Sequence, residues 1–290
     1  MSYLVIIKWI KIILVLYVVI GVVLYFTQTL ILFQGKRLAA NYRYNFAGQP
    51  ITEHTITRAN GTTLHYIIFA PTNGNASPKG TMVYYHGNIG NINRYAPYLT
   101  LFTNAGYQVY IMDYPGFGKS TGTITETGLK EDAQVVYNIA VASELSIRKI
   151  DVPENSIADS SYTPSKGVII YGKSMGTGLA TYIAAHNNCP QVILETPYYS
   201  LPTVYDDFTW IYPTKLMLRY QMNNYEQLPL IKAPITILHG THDKLISIAN
   251  ASRLKPLLKP TTDTFVTIDG GAHNNLYSFE TYQALVKSKL

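Results

Sequence analysis

The chain has 290 residues, 47% of them hydrophobic and only 14% charged, with a formal net charge of +6. A single α/β core commonly runs to about 250 residues, so this length predicts one large domain with a short appendage. The basic residues are scattered without a long Lys or Arg run, which argues against a nucleic-acid partner, and the lone Cys189 leaves no internal disulfide, metal knuckle or redox pair to build.

From Ile12 to Phe26 the sequence IILVLYVVIGVVLYF carries no charge, and after Thr27-Gln28-Thr29 it resumes as Leu30-Ile31-Leu32-Phe33. About 22 such residues span a hydrocarbon core near 30 Å thick at roughly 1.5 Å per residue. Lys8 and Lys11 ahead of the run also suit a secretory signal, but large residues follow where a cleavage site needs small ones. Residues 1–34 are therefore expected to form an uncleaved, single-pass membrane anchor. Lys8 and Lys11 on one flank face Lys36, Arg37 and Arg43 on the other, so charge chooses no side; the usual insertion of a signal anchor would leave the main domain extracytoplasmic. The sequons at Asn60, Asn75 and Asn250 do not decide the matter.

Residues 35–50 read as a connecting segment and 51–290 as the main domain. Glu53 to Pro71 alternates around the turn dipeptide Asn60-Gly61 and predicts an antiparallel hairpin. The loop PTNGNASPKG follows, and then strands and helices alternate. Strands are predicted at 81–86, 108–113, 167–172, 191–195, 235–238 and 264–268, and helices at 92–105, 127–145, 175–186, 248–258 and 276–288. That order predicts a mostly parallel central sheet flanked by helices. The polar stretch 148–166 reads as an exposed insertion. Between Pro197 and Pro234 an aromatic stretch including Tyr198, Tyr205, Phe208, Trp210 and Tyr212 reads as a short lid over about 198–232.

Gly172-Lys173-Ser174-Met175-Gly176 follows the β-branched strand VIIY and precedes the helix-forming run TGLATYIAAH. A serine hydroxyl is a weak nucleophile, so it must stand on a sharp turn within reach of a base, and flanking glycines let strand and helix approach closely. Without that context the motif would be only a turn ahead of a helix. The base must be a histidine, and a carboxylate must fix its tautomer. His273 lies just past the last predicted strand and Asp243 just past the preceding one, in the chain order Ser, Asp, His. Taken singly, His273 could be a surface loop residue and Asp243 a turn cap. Asp269 is a rival acid but sits too near His273 in sequence to come from a separate strand end, and His242 reads as a bystander. In Tyr85-His86-Gly87-Asn88-Ile89-Gly90-Asn91 the amide of Asn88, with that of Met175, would form an oxyanion hole; the duller reading is an ordinary glycine-rich turn. The turn from Asp113 to Ser120 is assigned to structure, as is Cys189.

HGNIGN, DYPGFGKSTG, GKSMGTG, ETPYYSL, HGTHD and GGAH resemble, in order and spacing, the α/β-hydrolase superfamily, and more narrowly its single-anchor, short-lid branch, serine-aminopeptidase-like or monoacylglycerol-lipase-like. The resemblance covers about residues 50–290. It implies Ser174, Asp243 and His273 as catalytic triad and the amides of Asn88 and Met175 as oxyanion hole, with neither metal nor organic cofactor. The function expected is hydrolysis of a carboxylic ester, with a small hydrophobic or lipid-like substrate suggested by the aromatic lid beside a bilayer. A peptidase or amidase of the same fold, or a non-catalytic membrane-bound scaffold, are the alternatives.

Overall fold

The computed structural model describes residues 3–290 apart from 73, 75, 76, 148–166, 207, 208 and 210. The expected insertion at 148–166, the lid rings of Phe208 and Trp210, and the sequon at Asn75 lie outside the described residues.

Helix α1 (Tyr3–Leu32) is long and apolar enough to cross a membrane by length and composition. It starts ahead of the uncharged run and takes in Lys8 and Lys11, because lysine is a good helix former. Most of its side chains stand exposed, whereas Gly21, Gln28 and Leu32 are buried.

The hairpin about Asn60-Gly61 forms as β1 (Ile51–Thr57) and β2 (Thr63–Phe69), with Thr57 opposite Thr63. Six further strands follow: β3 (Gly80–Tyr85), β4 (Tyr107–Met112), β5 (Ile169–Lys173), β6 (Val192–Glu195), β7 (Ile235–Gly240) and β8 (Thr264–Ile268). They lie in the order β8-β7-β6-β5-β3-β4-β2-β1, parallel from β8 to β4 and antiparallel beyond. Side chains alternate along these strands. Val83 and Tyr85 enter one core, with α3 (Glu126–Ile147) and α4 (Gly176–His186), while Met82 and Tyr84 enter the other, with α2 (Ile92–Asn104) and α9 (Glu280–Ser288). A parallel sheet buried on both faces accounts for the near-continuous apolar strands. Each such side chain contributes about 1.5–3 kcal/mol by leaving water.

The chain runs from β3 out to β4 and then returns to β5 on the other side of β3. The loops after β3 and β5 therefore diverge and open a crevice at the carboxyl ends of the strands, the ordinary ligand position in such sheets. Among its described residues, the stretch expected as a lid holds the short α-helices α5 (Leu201–Asp206), α6 (Thr214–Met217) and α7 (Asn224–Gln227).

Two expected helices are shorter than their apolar spacing suggested. The segment predicted at 248–258 is α8 (Ile248–Ser252) followed by a 3-10 turn at Lys255–Leu257, since Pro256 has no N–H to continue the ladder. The segment predicted at 276–288 opens as a 3-10 turn (Leu276–Ser278), and extended Phe279 then starts α9. The break leaves Leu276 fully buried against Gly240 and Gly271.

Candidate active site

Ser174 occupies the turn between β5 and α4 with φ +52°, a left-handed conformation that costs a non-glycine residue on the order of 1–3 kcal/mol. Surrounding contacts hold it there: its N–H donates to Glu195 O at 2.8 Å and its carbonyl accepts from Thr177 N at 2.9 Å. The two glycines of the motif permit the approach. A Cβ on Gly176 would lie 2.0 Å from the Tyr85 carbonyl oxygen, and one on Gly172 would lie 2.6 Å from Ala180 Cβ.

His273 comes from the loop after β8 and Asp243 from the loop after β7. Ser174 Oγ lies 2.8 Å from His273 Nε2, and His273 Nδ1 lies 2.7 Å from Asp243 Oδ2. The other carboxylate oxygen of Asp243 accepts from the amides of Leu245 and Ile246, both at 2.9 Å. With Asp243 ionised, the tautomer carrying its proton on Nδ1 satisfies both contacts of His273 and leaves Nε2 free to accept from the serine. Burial by itself would raise the Asp243 pKa, but the hydrogen bond and charge of His273 and the Ile246 amide outweigh it and hold the carboxyl below its ordinary value. His239 packs against the same carboxylate, its Nε2 3.6 Å from Asp243 Oδ2 and hydrogen-bonded to Ile246 O at 2.9 Å. Burial lowers its pKa, offset in part by that hydrogen bond and by the charge of Asp243.

Asn88 and Met175 both line the cavity of about 50 Å³ that opens on Ser174. The Asn88 loop is braced from two sides. Tyr114 donates its hydroxyl proton to His86 O at 2.6 Å, and Asp113 Oδ1 accepts from the first amide of α2, Ile92 N, at 3.0 Å. The 113–120 turn thus supports the loop after β3, consistent with the structural role assigned to it. Asp269 is exposed and accepts from Thr241 Oγ1 at 3.1 Å, and His242 is exposed. Burial pushes the Cys189 thiol up to about 12, well away from thiolate chemistry. Among the described residues no group of three or more His, Cys, Asp or Glu side chains could hold a metal ion.

Beneath the serine turn lies an ion pair that sequence reasoning passed over. Lys173 Nζ bonds the carboxylate of Glu195, whose other oxygen accepts from Tyr171 and Tyr282 at 2.6 and 3.1 Å. Lys173 Nζ also lies 3.5 Å from the carbonyl of His273, so this buried pair joins the serine turn to the histidine loop. Also missed was Leu32: the last residue of α1 shares the Ser174 cavity with Tyr198, Leu201, Tyr205 and Ile246. Asn88 ties that helix end down, donating from Nδ2 to Leu32 O at 2.6 Å and accepting from Gln34 N at 2.8 Å. Nothing in a hydropathy pattern distinguishes a residue that ends a span from one that walls a site.

Residues 76–221 match the sequence family described as serine aminopeptidase, S33. The chain belongs to this family of α/β-hydrolases. Human alpha/beta hydrolase domain-containing protein 17B is 26% identical over 252 residues, covering 86% of this chain and 78% of that protein. Among solved structures, an esterase of Pyrococcus furiosus superposes with a TM-score of 0.60 at 17% identity, over 89% of this chain and 95% of its own. A thermophilic esterase of Thermogutta terrifontis, solved with propionate bound, gives 0.60 at 16% identity over 84% and 93%. The sheet order of this α/β-hydrolase and its crevice at the carboxyl ends of β3 and β5 agree with that assignment.

Proposed function

We infer that the protein is a membrane-anchored serine hydrolase acting on carboxylic esters, with Ser174 as nucleophile, His273 as general base and Asp243 as its orienting acid. The observation that carries this reading is the unbroken chain Ser174 Oγ, His273, Asp243 drawn from three different strand ends at 2.8 and 2.7 Å. Ser174 Oγ attacks the ester carbonyl as its proton passes to His273 Nε2. The tetrahedral oxyanion is received by the amides of Asn88 and Met175, each such donor being worth roughly 3–4 kcal/mol. His273 returns the proton to the leaving alcohol, and water then hydrolyses the acyl-enzyme by the same route. Asp243, kept ionised, holds the imidazole in the working tautomer and stabilises the imidazolium as it forms.

An ester is favoured over a peptide with a free amino terminus because, among the described residues, those lining the Ser174 cavity include no carboxylate to receive an ammonium group. The two bacterial and archaeal esterases of similar fold lend the same direction. Helix α1 serves as the anchor. The test is labelling of purified protein by a fluorophosphonate. Native chain is expected to label and Ser174→Ala to stay unlabelled, with esterase turnover lost by about 10⁶-fold in that variant. A folded native protein that does not label would overturn the assignment.

A further inference from the structure

We propose that α1 is part of the substrate site: it walls an apolar groove, running from Ser174 to the lipid-facing side of the helix, that takes the acyl chain of a long-chain ester drawn from the bilayer. This rests on the serine-hydrolase reading above and names the substrate class for that site.

Three cavities follow one another along the helix. The first, at Ser174, measures about 50 Å³ and is the smallest of the three. Leu32 and Tyr205 line it and also line a second cavity of about 260 Å³ between α1 and the lid, where Leu24, Tyr25, Gln28 and Ile31 face Tyr212 and Met217. Tyr25, Tyr212 and Met217 in turn border a third, open groove of about 350 Å³ that reaches Tyr17, Val18 and Val22. From Val18 to Leu32 the helix rises by about 21 Å at roughly 1.5 Å per residue. One leaflet of a bilayer is about 15 Å of hydrocarbon. The three cavities together thus extend over a length comparable with an acyl chain of one leaflet that has its carboxyl carbon at Ser174.

The lining suits hydrocarbon. Gln28, its most polar residue, is buried and spends its groups within the protein: Nε2 donates to Tyr25 O at 2.7 Å and Met217 O at 3.2 Å, and Oε1 accepts from Arg219 N at 2.7 Å. Thr209 donates to Tyr205 O at 2.9 Å, and Thr214 bonds the Asp206 carboxylate. No unmet polar side chain of these three is left to face an acyl chain. The far end of the groove is framed by Tyr17 and Tyr212, whose rings stack at 4.7 Å and exchange hydrogen bonds with Ile211 O and Tyr17 O at 2.9 and 3.0 Å. Ile211, whose carbonyl takes the Tyr17 hydroxyl, stands exposed beside this end. A soluble ester would enter a hydrolase from water; here the wide end of the groove lies against the membrane-length helix.

The full-length protein in phosphatidylcholine nanodiscs provides the test. Leu24→Trp, from the helix wall, and Thr209→Phe, from the lid wall, each fill the second cavity. The ratio of kcat/KM for p-nitrophenyl palmitate to that for p-nitrophenyl butyrate is expected to fall at least about 10-fold in either variant, as several methylenes each worth about 4-fold lose their place. A ratio within about 2-fold of native in both variants, while a short-chain fluorophosphonate still labels Ser174, overturns the groove and leaves the serine hydrolase standing. A second measurement needs no turnover: in Ser174→Ala, a diazirine-bearing palmitate is expected to crosslink to the lining residues Tyr205, Thr209, Tyr212 or Met217, and to lose that crosslink in the Leu24→Trp background. Absence of any lid crosslink would equally overturn the proposal.

Discussion

Lys173 is buried one residue before Ser174, and its charge is met by Glu195 and the carbonyl of His273. Removing one member of such a pair strands the other without solvent, so Lys173→Ala is expected to cost about 3–5 kcal/mol, seen as a lowered Tm. Lys173→Met combined with Glu195→Gln should recover most of that loss. Asp243→Asn keeps the contacts but forces the wrong histidine tautomer, and ester turnover should fall by about 10⁴-fold while fold and Tm hold. Burial lowers the pKa of both His86 and His239, so each binds protons more weakly folded than unfolded. Their contribution to stability is complete above the ordinary histidine value near ~6.5 and is lost as pH falls through the folded values, by up to about 1.4 kcal/mol per pH unit for each. Thermal unfolding between pH 7 and pH 5 should follow this slope, and His239→Gln should remove one proton's share. All of these residue types were readable in the chain, but among the side chains only Ser174, Asp243 and His273 came with a spacing that assigned a role. Lys173 lies inside the motif as its variable position, and its partner Glu195 on the neighbouring strand β6 is a tertiary fact.

At the scale of elements, strands and crossover helices followed from period and punctuation, since β-branched runs bounded by turn residues have few other stable states. Pro256 lies inside the helix expected at 248–258 and ended it for a local reason that the sequence already contained. The break at Phe279 has a tertiary cause, the seat that Gly240 and Gly271 offer to Leu276. The pairing of α1 with the lid is of the same kind. Gly21 sits under Tyr212, where an added Cβ would lie 3.1 Å from the ring. Gly21→Val should push the ring away and cost about 1–3 kcal/mol, lowering Tm by roughly 2–10 °C. An unchanged Tm would mean that helix and lid do not pack in solution.

For the molecule as a whole, α1 and the sheet are coupled. Gln34–Gly35 pairs in parallel with Ile89–Gly90, and Leu32 and Phe33 are buried in the same core as Tyr85 and Met175. A fragment of residues 34–290 forfeits the burial of Leu32 and Phe33, about 1.5–3 kcal/mol apiece, and bares the lid rings that faced the helix. It is expected to unfold at lower temperature than the full chain and to self-associate, as thermal melts and size-exclusion chromatography would register.

The sequence by itself determined the doubly covered parallel sheet and the membrane-length helix, and it singled out Ser174, Asp243, His273, Asn88 and Met175 as candidate site residues. Each of these is written in local patterns: apolar period, glycine spacing and position at a strand end. Tertiary structure alone decided that the end of the helix reaches the serine, that Lys173 and Glu195 brace the turn, and that apolar cavities lie between the site and the helix face. Those features arise where segments distant in the chain meet, and hydropathy and motif spacing describe each segment without its neighbour.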